Sequence, residues 1–63
     1  MNNLKYFRER VEMSQMELAN KTGLEQSRIA RVEAGGVDFK GQQWKLIADA
    51  LDCTVDELVG RRV

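Results

Sequence analysis

Histidine and proline are both absent from the sequence, and cysteine occurs once, at Cys53. Without histidine, the commonest metal ligand and the usual general acid–base group are missing. A single cysteine excludes a disulfide within the chain and is typical of proteins kept in a reducing cytosol. We therefore expect neither a structural zinc site nor a cysteine–histidine nucleophile, and we interpret Cys53 as a packing residue.

Long apolar runs are lacking as well. No segment approaches the length of a membrane span, and the opening MNNLKYFRER has no apolar signal core. A soluble, cytoplasmic protein is the expectation. Because no phosphate-binding loop or metal-ligand cluster is visible either, an enzyme is the least favoured class and no cofactor is expected. Trp44 is interpreted as a core residue rather than as the wall of a small-molecule pocket.

An excess of charge of one sign is also missing, since ten Lys and Arg balance ten Asp and Glu. Residues 1–13 hold three bases and two acids, residues 14–45 hold five and four, and residues 46–63 hold two and four. The slight basic excess in the first two thirds is compatible with one DNA-facing side. Charge alone does not indicate a nucleic-acid partner.

Apolar residues recur at helical spacing, which predicts an all-α fold of five short helices in a single domain, residues 1–63. The helices are expected at about residues 2–12, after Ser14, at about 26–34, at about 41–51 and after Thr54. Ser14 with Glu17, and Thr54 with Glu57, match capping boxes. The residues expected in the core are Leu4, Phe7, Val11, Leu18, Ala19, Ile29, Val32, Trp44, Ile47, Ala48, Leu51, Val55, Leu58 and Val59.

The most informative feature is the junction between the second and third helices. Two helices that cross steeply through a short turn need a small side chain at their contact, which Ala19 supplies. The turn needs a residue that tolerates positive φ, which is Gly23. The third helix needs a branched apolar residue that packs against the second, which is Ile29. This combination describes a helix-turn-helix, whose second helix can enter the major groove of DNA.

The segment LKYFRERVEMSQMELANKTGLEQSRIARVEAG resembles the helix-turn-helix of the phage repressor and Cro superfamily, also called the xenobiotic-response-element family. The segment LIADALDCTVDELVG resembles the fourth and fifth helices of the same lambda-repressor-like DNA-binding domain. The resemblance covers roughly residues 4–60. It depends on Ser-Gln at 14–15, Leu-Ala at 18–19, Gly23, Ile29, Glu33 and Gly35.

The resemblance implies a DNA-contacting set on the helix-turn-helix. Gln15 matches the family glutamine that touches a phosphate and braces the recognition helix. Gln26 and Ser27 match positions that read base edges, and Arg31 lies one turn further on the same outward face. Glutamine pairs bidentately with adenine and arginine with guanine, so these residue types suit that task.

Four further residues receive roles from the same resemblance. Arg28 is assigned to a phosphate or a neighbouring base, and Lys40 to a phosphate together with the amide-rich start of the fourth helix. Arg8 and Glu33 match a family pair that forms an interior salt bridge between the first and third helices. Arg8 is then architectural rather than a DNA contact.

Four positions depart from the family pattern. Glu25 stands where Ser or Thr commonly caps the recognition helix; its carboxylate is still able to cap, but it lies near the expected phosphates. Phe39 replaces a common proline and Gly41 a common leucine, so the preceding loop and the start of the fourth helix are expected to differ. Ala30 offers no hydrogen bond, only contact with a thymine methyl.

Two classes of function remain. The favoured one is a sequence-specific, double-stranded DNA-binding transcriptional regulator that acts as a small Cro-like homodimeric repressor by occupying its operator. The alternative is a protein-interaction module, for example an antitoxin-type partner, that keeps the fold with weak or no DNA reading; the zero net charge and Glu25 favour it. The candidate dimer residues are Val37, Phe39, Val59 and Val63.

Overall fold

Five α-helices make up the regular structure of residues 2–60, the part of the chain that this computed structural model describes. No strand occurs in that range, so the all-helical, five-helix expectation is confirmed. The helices are α1 (Leu4–Arg10), α2 (Gln15–Thr22), α3 (Gln26–Glu33), α4 (Gly41–Leu51) and α5 (Val55–Leu58). Helix α2 packs on α3 and α4, α5 packs on α4, and α1 packs on α3.

The expected first helix was too long at both ends. It begins at Leu4. It ends at Arg10, because Glu12 takes a left-handed conformation with φ of 57°. The chain turns back there, and the Met13 N–H donates to the Arg8 carbonyl at 3.1 Å. Val11, expected on the inner face, consequently lies beyond the helix and is 40% exposed.

Helix α2 begins and ends as its local sequence predicts. The Ser14 hydroxyl accepts from the Glu17 N–H at 3.0 Å, and the Glu17 carboxylate accepts from the Ser14 N–H at 2.9 Å, which completes a capping box. At the other end Gly23 has φ of 78°, and its N–H donates to the Ala19 carbonyl at 2.8 Å. Any side chain at this position would be strained, so glycine fixes the length of α2.

This capping box predicts an acid-dependent contribution to stability. The hydrogen bond from the Ser14 N–H lowers the pKa of the Glu17 carboxyl below its ordinary value. The stabilisation is therefore complete above the ordinary glutamate pKa and is lost as the pH falls through the lowered one. We expect the wild type to be more stable than Glu17→Gln at pH 7, with the difference shrinking in acid, as measured by urea unfolding.

The matched control for this charge change is Glu9→Gln, which removes one carboxylate from the exposed side of α1 outside any cap. A difference between wild type and Glu17→Gln that stays constant from pH 7 into acid would contradict the role of the ionised cap.

The core lies where the five helices meet and contains the apolar residues at helical spacing. Nine of the twelve large apolar residues expected in the core are buried. Val55 and Val59 are half-buried at its edge, and Val11 is exposed. The buried core comprises Leu4, Phe7, Leu18, Ala19, Ile29, Val32, Phe39, Trp44, Ile47, Ala48, Leu51 and Leu58. No helix within residues 2–60 combines the length and apolar character needed to cross a bilayer.

Phe39 is a core residue, which corrects its assignment to a dimer surface. Its ring packs edge-on against Trp44 with centroids 5.3 Å apart, and only 6% of the residue is exposed. Asp38 holds the arrangement, because its Oδ1 accepts from Trp44 Nε1 at 3.0 Å and from the Phe39 N–H at 2.8 Å. Val37 stays at the surface, whereas Val63 lies outside the described residues.

Candidate nucleic-acid interface

Helices α2 and α3 form a bihelical unit joined by residues 23–25. Ala19 is 7% exposed and Ile29 is fully buried, so the small and branched side chains lie at the inner side of the junction as the sequence predicts. The turn begins with left-handed Gly23. This is the arrangement of a helix-turn-helix, with α3 in the position of the recognition helix.

Helix α3 has two contrasting faces. Ile29 and Val32 are fully buried against the rest of the molecule. Gln26, Ser27 and Arg31 are exposed on the other side of the helix. The packing of the inner face therefore holds three hydrogen-bonding side chains outward, on an element whose backbone is fixed.

A chain of side-chain hydrogen bonds connects α1 to this outer face. Arg8 Nε lies 2.6 Å from Glu33 Oε2, and Arg8 Nη2 donates to Glu33 Oε1 at 3.1 Å. Gln15 Nε2 donates to the same Glu33 Oε1 at 3.0 Å. Gln26 Nε2 then donates to Gln15 Oε1 at 2.9 Å. The structure thus brings together four of the residues that the resemblance singles out.

The ion pair at the base of this chain is well shielded from solvent, with side-chain exposures of 10% for Arg8 and 6% for Glu33. Arg8 Nη1 also donates to the Met13 carbonyl at 2.7 Å, in the turn before α2. The hydrogen bond to Glu33 raises the pKa of the Arg8 guanidinium above its ordinary value, although burial opposes the shift. Arg8 therefore stays charged and joins α1, α3 and the turn before α2.

Arg28 lies against the loop between α3 and α4 rather than pointing freely outward. Its Nη2 donates to the Asp38 carbonyl at 3.1 Å, and its guanidinium carbon lies 5.9 Å from the centre of the Phe39 ring. Its Nε is buried without a hydrogen-bond partner among the described residues. These contacts favour a role for Arg28 in holding the loop between α3 and α4.

Replacing Arg28 by Met is expected to weaken binding to all duplexes equally, because a loop or phosphate contact carries no base information. The ratio of dissociation constants for a preferred and a scrambled duplex should stay unchanged, as read by fluorescence anisotropy. Stability should change by only about 1 kcal/mol, the size of an exposed cation–π contact. A lower ratio would show that Arg28 reads a base.

The start of α4 and the start of α3 carry opposite charges. Lys40 is exposed immediately before α4, and its N–H donates to Gln43 Oε1 at 2.9 Å. The first-turn amides of α4 suit an anion beside that lysine. Glu25 occupies the cap position of α3, but its side chain makes no capping hydrogen bond, which corrects the expectation that it was able to cap. Its exposed carboxylate adds negative charge beside the outer face of α3.

Sequence reasoning missed the link between Gln15 and Glu33. These residues stand 18 positions apart on different helices, and no local pattern indicates that their side chains meet. A second bond that it missed runs from Trp44 Nε1 to Asp38 Oδ1 and orders the loop before α4. Within residues 2–60 no group of three or more Cys, Asp and Glu side chains is arranged to hold a metal ion.

Comparison with known proteins places these features in a family context. A family model described as helix-turn-helix matches residues 4–58, from the first residue of α1 to the last residue of α5. No curated protein matches the chain.

Proposed function

Since this chain belongs to the lambda-repressor-like, xenobiotic-response-element family of helix-turn-helix proteins, we propose that it is a sequence-specific regulator acting as a small Cro-like repressor. DNA binding in general follows from the family. The observation that carries the finer proposal is the outward set of Gln26, Ser27 and Arg31 on a helix whose opposite face is buried.

Each exposed side chain of α3 has a defined task in this proposal. Gln26 pairs with adenine and Arg31 with guanine, through two hydrogen bonds each, and Ser27 bonds to either. Gln15 and Lys40 approach phosphates on the two sides of the groove and fix the register of the protein on the duplex. Specific contacts are few, so each of them carries a large share of the sequence preference.

The charge of the chain predicts modest affinity for DNA of arbitrary sequence. The charges of ten basic and ten acidic side chains cancel, and Glu25 places a carboxylate beside the outer face of α3. Non-specific binding depends on neutralising phosphates, and a neutral protein does this with only a few local cations. Discrimination between sequences therefore depends on base contacts rather than on bulk attraction.

Selection from a pool of random duplexes tests this proposal. Repeated binding and amplification should converge on one motif containing adenine and guanine at neighbouring positions. A pool that stays random after several rounds, with a folded protein, would contradict sequence-specific reading.

We further propose that the protein is cytoplasmic, that it binds its operator as a homodimer, and that it represses by occupying the operator. One module of this size covers little DNA, whereas two would place their α3 helices about 34 Å apart on successive turns of the major groove. Val37 is 37% exposed and Val59 is half-buried, so both remain candidates for the contact between subunits. Sedimentation on the selected operator should give two chains per duplex, and one chain per duplex would overturn the dimer.

A protein-interaction module with weak or absent DNA reading, such as an antitoxin-type partner, is the second candidate. The Glu25 carboxylate, which makes no capping hydrogen bond, and the zero net charge favour it. It predicts no enrichment in the duplex selection, so the same experiment separates the two functions.

A further inference from the structure

The chain of hydrogen bonds from Arg8 to Gln26 has only one possible direction. A guanidinium can only donate and an ionised carboxylate can only accept. Glu33, paired with Arg8, therefore requires a donor from Gln15, and Gln15 Nε2 meets it at 3.0 Å. Gln15 Oε1 is consequently turned towards Gln26 and accepts from its Nε2 at 2.9 Å.

This direction also fixes the orientation of the Gln26 amide. One N–H of Gln26 is used by Gln15, so its amide nitrogen is held on the side of α2. Its Oε1 then lies on the side away from α2. Because Gln26 is exposed, this oxygen and the second N–H are left to face outward. Without this constraint an exposed glutamine amide rotates and offers donor and acceptor in either order.

Resting on the proposed function, we propose that Glu33 is a positioning residue that sets the order in which Gln26 presents donor and acceptor to the major groove. Glu33 does this through Gln15, while its own side chain stays 6% exposed and contacts no base. The order therefore contributes to the choice of which strand carries the adenine under Gln26.

The order matters because the major groove is read with a direction. Adenine presents N7 as an acceptor and its N6 amino group as a donor, and reversing the base pair puts the thymine methyl group and the O4 acceptor in their place. A fixed amide pairs with both adenine groups, but in the reversed pair it turns its own carbonyl oxygen toward the thymine O4. An amide that rotates freely can donate its N–H to that O4 instead, so it tolerates the reversed pair better and loses part of the distinction.

The test compares two operators that differ only in whether the pair under Gln26 is A·T or T·A. Anisotropy titrations should give the wild type a preference of about 5- to 150-fold for one orientation, the range expected of a bidentate pair. In Glu33→Gln the new amide both donates and accepts, so Gln15 can reverse and the ratio should fall toward unity. Glu9→Gln, which removes the same charge from an exposed site, should keep the wild-type ratio.

A second variant keeps the inference testable if Glu33→Gln does not fold. Gln15→Met leaves the Arg8–Glu33 pair intact but removes the acceptor that holds Gln26, so the ratio should again fall toward unity. NMR of the free wild type should show a hydrogen-bonded Gln26 side-chain amide, and folded Gln15→Met should show a freely rotating one.

The outcomes separate this inference from the function on which it rests. A folded Glu33→Gln or Gln15→Met protein that keeps the wild-type ratio would overturn the role of Glu33. Specific binding by a wild type that accepts both orientations equally would overturn it as well. A wild type that binds no duplex would instead overturn the proposed function, and with it this inference.

Discussion

Replacing Gln26 and Arg31 together by alanine should abolish the preference for the selected operator while leaving the fold intact. Both side chains are exposed on α3, so their loss removes no core packing, and alanine favours the helix. Each bidentate base contact contributes about 1–3 kcal/mol of discrimination, so the pair together should cost roughly 30- to 10⁴-fold in specificity.

The measurement is the ratio of dissociation constants for the operator and a scrambled duplex at one salt concentration. Asn20→Ala with Lys21→Ala is the matched control, because it removes one amide and one cation from exposed positions of α2. The control should keep its ratio near that of the wild type. A Gln26/Arg31 double variant that retains the wild-type ratio would show that α3 does not read the bases through these residues.

Replacing Arg8 by Met should cost most of the stability of the protein. The substitution removes one partner of a shielded ion pair and leaves the Glu33 carboxylate without its cation. Breaking a buried pair in this way costs about 3–5 kcal/mol. A domain of this length has only about 3–9 kcal/mol in total, so the variant should lose a large part of its stability.

Urea unfolding followed by circular dichroism measures this loss. Lys5→Met, also on α1 but exposed, should change the free energy of unfolding by less than about 0.5 kcal/mol. Combining Arg8→Met with Glu33→Leu should recover part of the loss, because an apolar pair replaces a stranded charge. An Arg8→Met protein as stable as the Lys5→Met control would contradict the structural importance of the pair.

The parts of the fold that sequence predicts well are those fixed by neighbouring residues. Capping boxes at Ser14 and Thr54 place the starts of α2 and α5, because both partners lie within four positions. Gly23 marks the end of α2 for the same local reason, since glycine adopts positive φ without strain. Helical periodicity then identifies the buried face of each helix.

The parts that sequence did not predict depend on tertiary packing. Glu12 takes a left-handed conformation although it is not glycine, so nothing local indicates that α1 ends at Arg10. Phe39 is buried because its ring meets Trp44, and the Asp38 carboxylate holds both. Within the interface, residue types predict that Gln26 and Arg31 face outward, but only the fold brings Gln15 to Glu33 and orients the amide.

The measurement that tests the central claim most directly is duplex binding by the wild type over a series of salt concentrations. DNA binding through phosphate and base contacts predicts that the logarithm of the affinity falls linearly with the logarithm of the salt concentration. The slope should be shallow because few Lys and Arg side chains are assigned to phosphates, and the operator should bind more tightly than a scrambled duplex at every salt concentration. Absence of binding even at low salt, with the protein folded, would contradict the assignment.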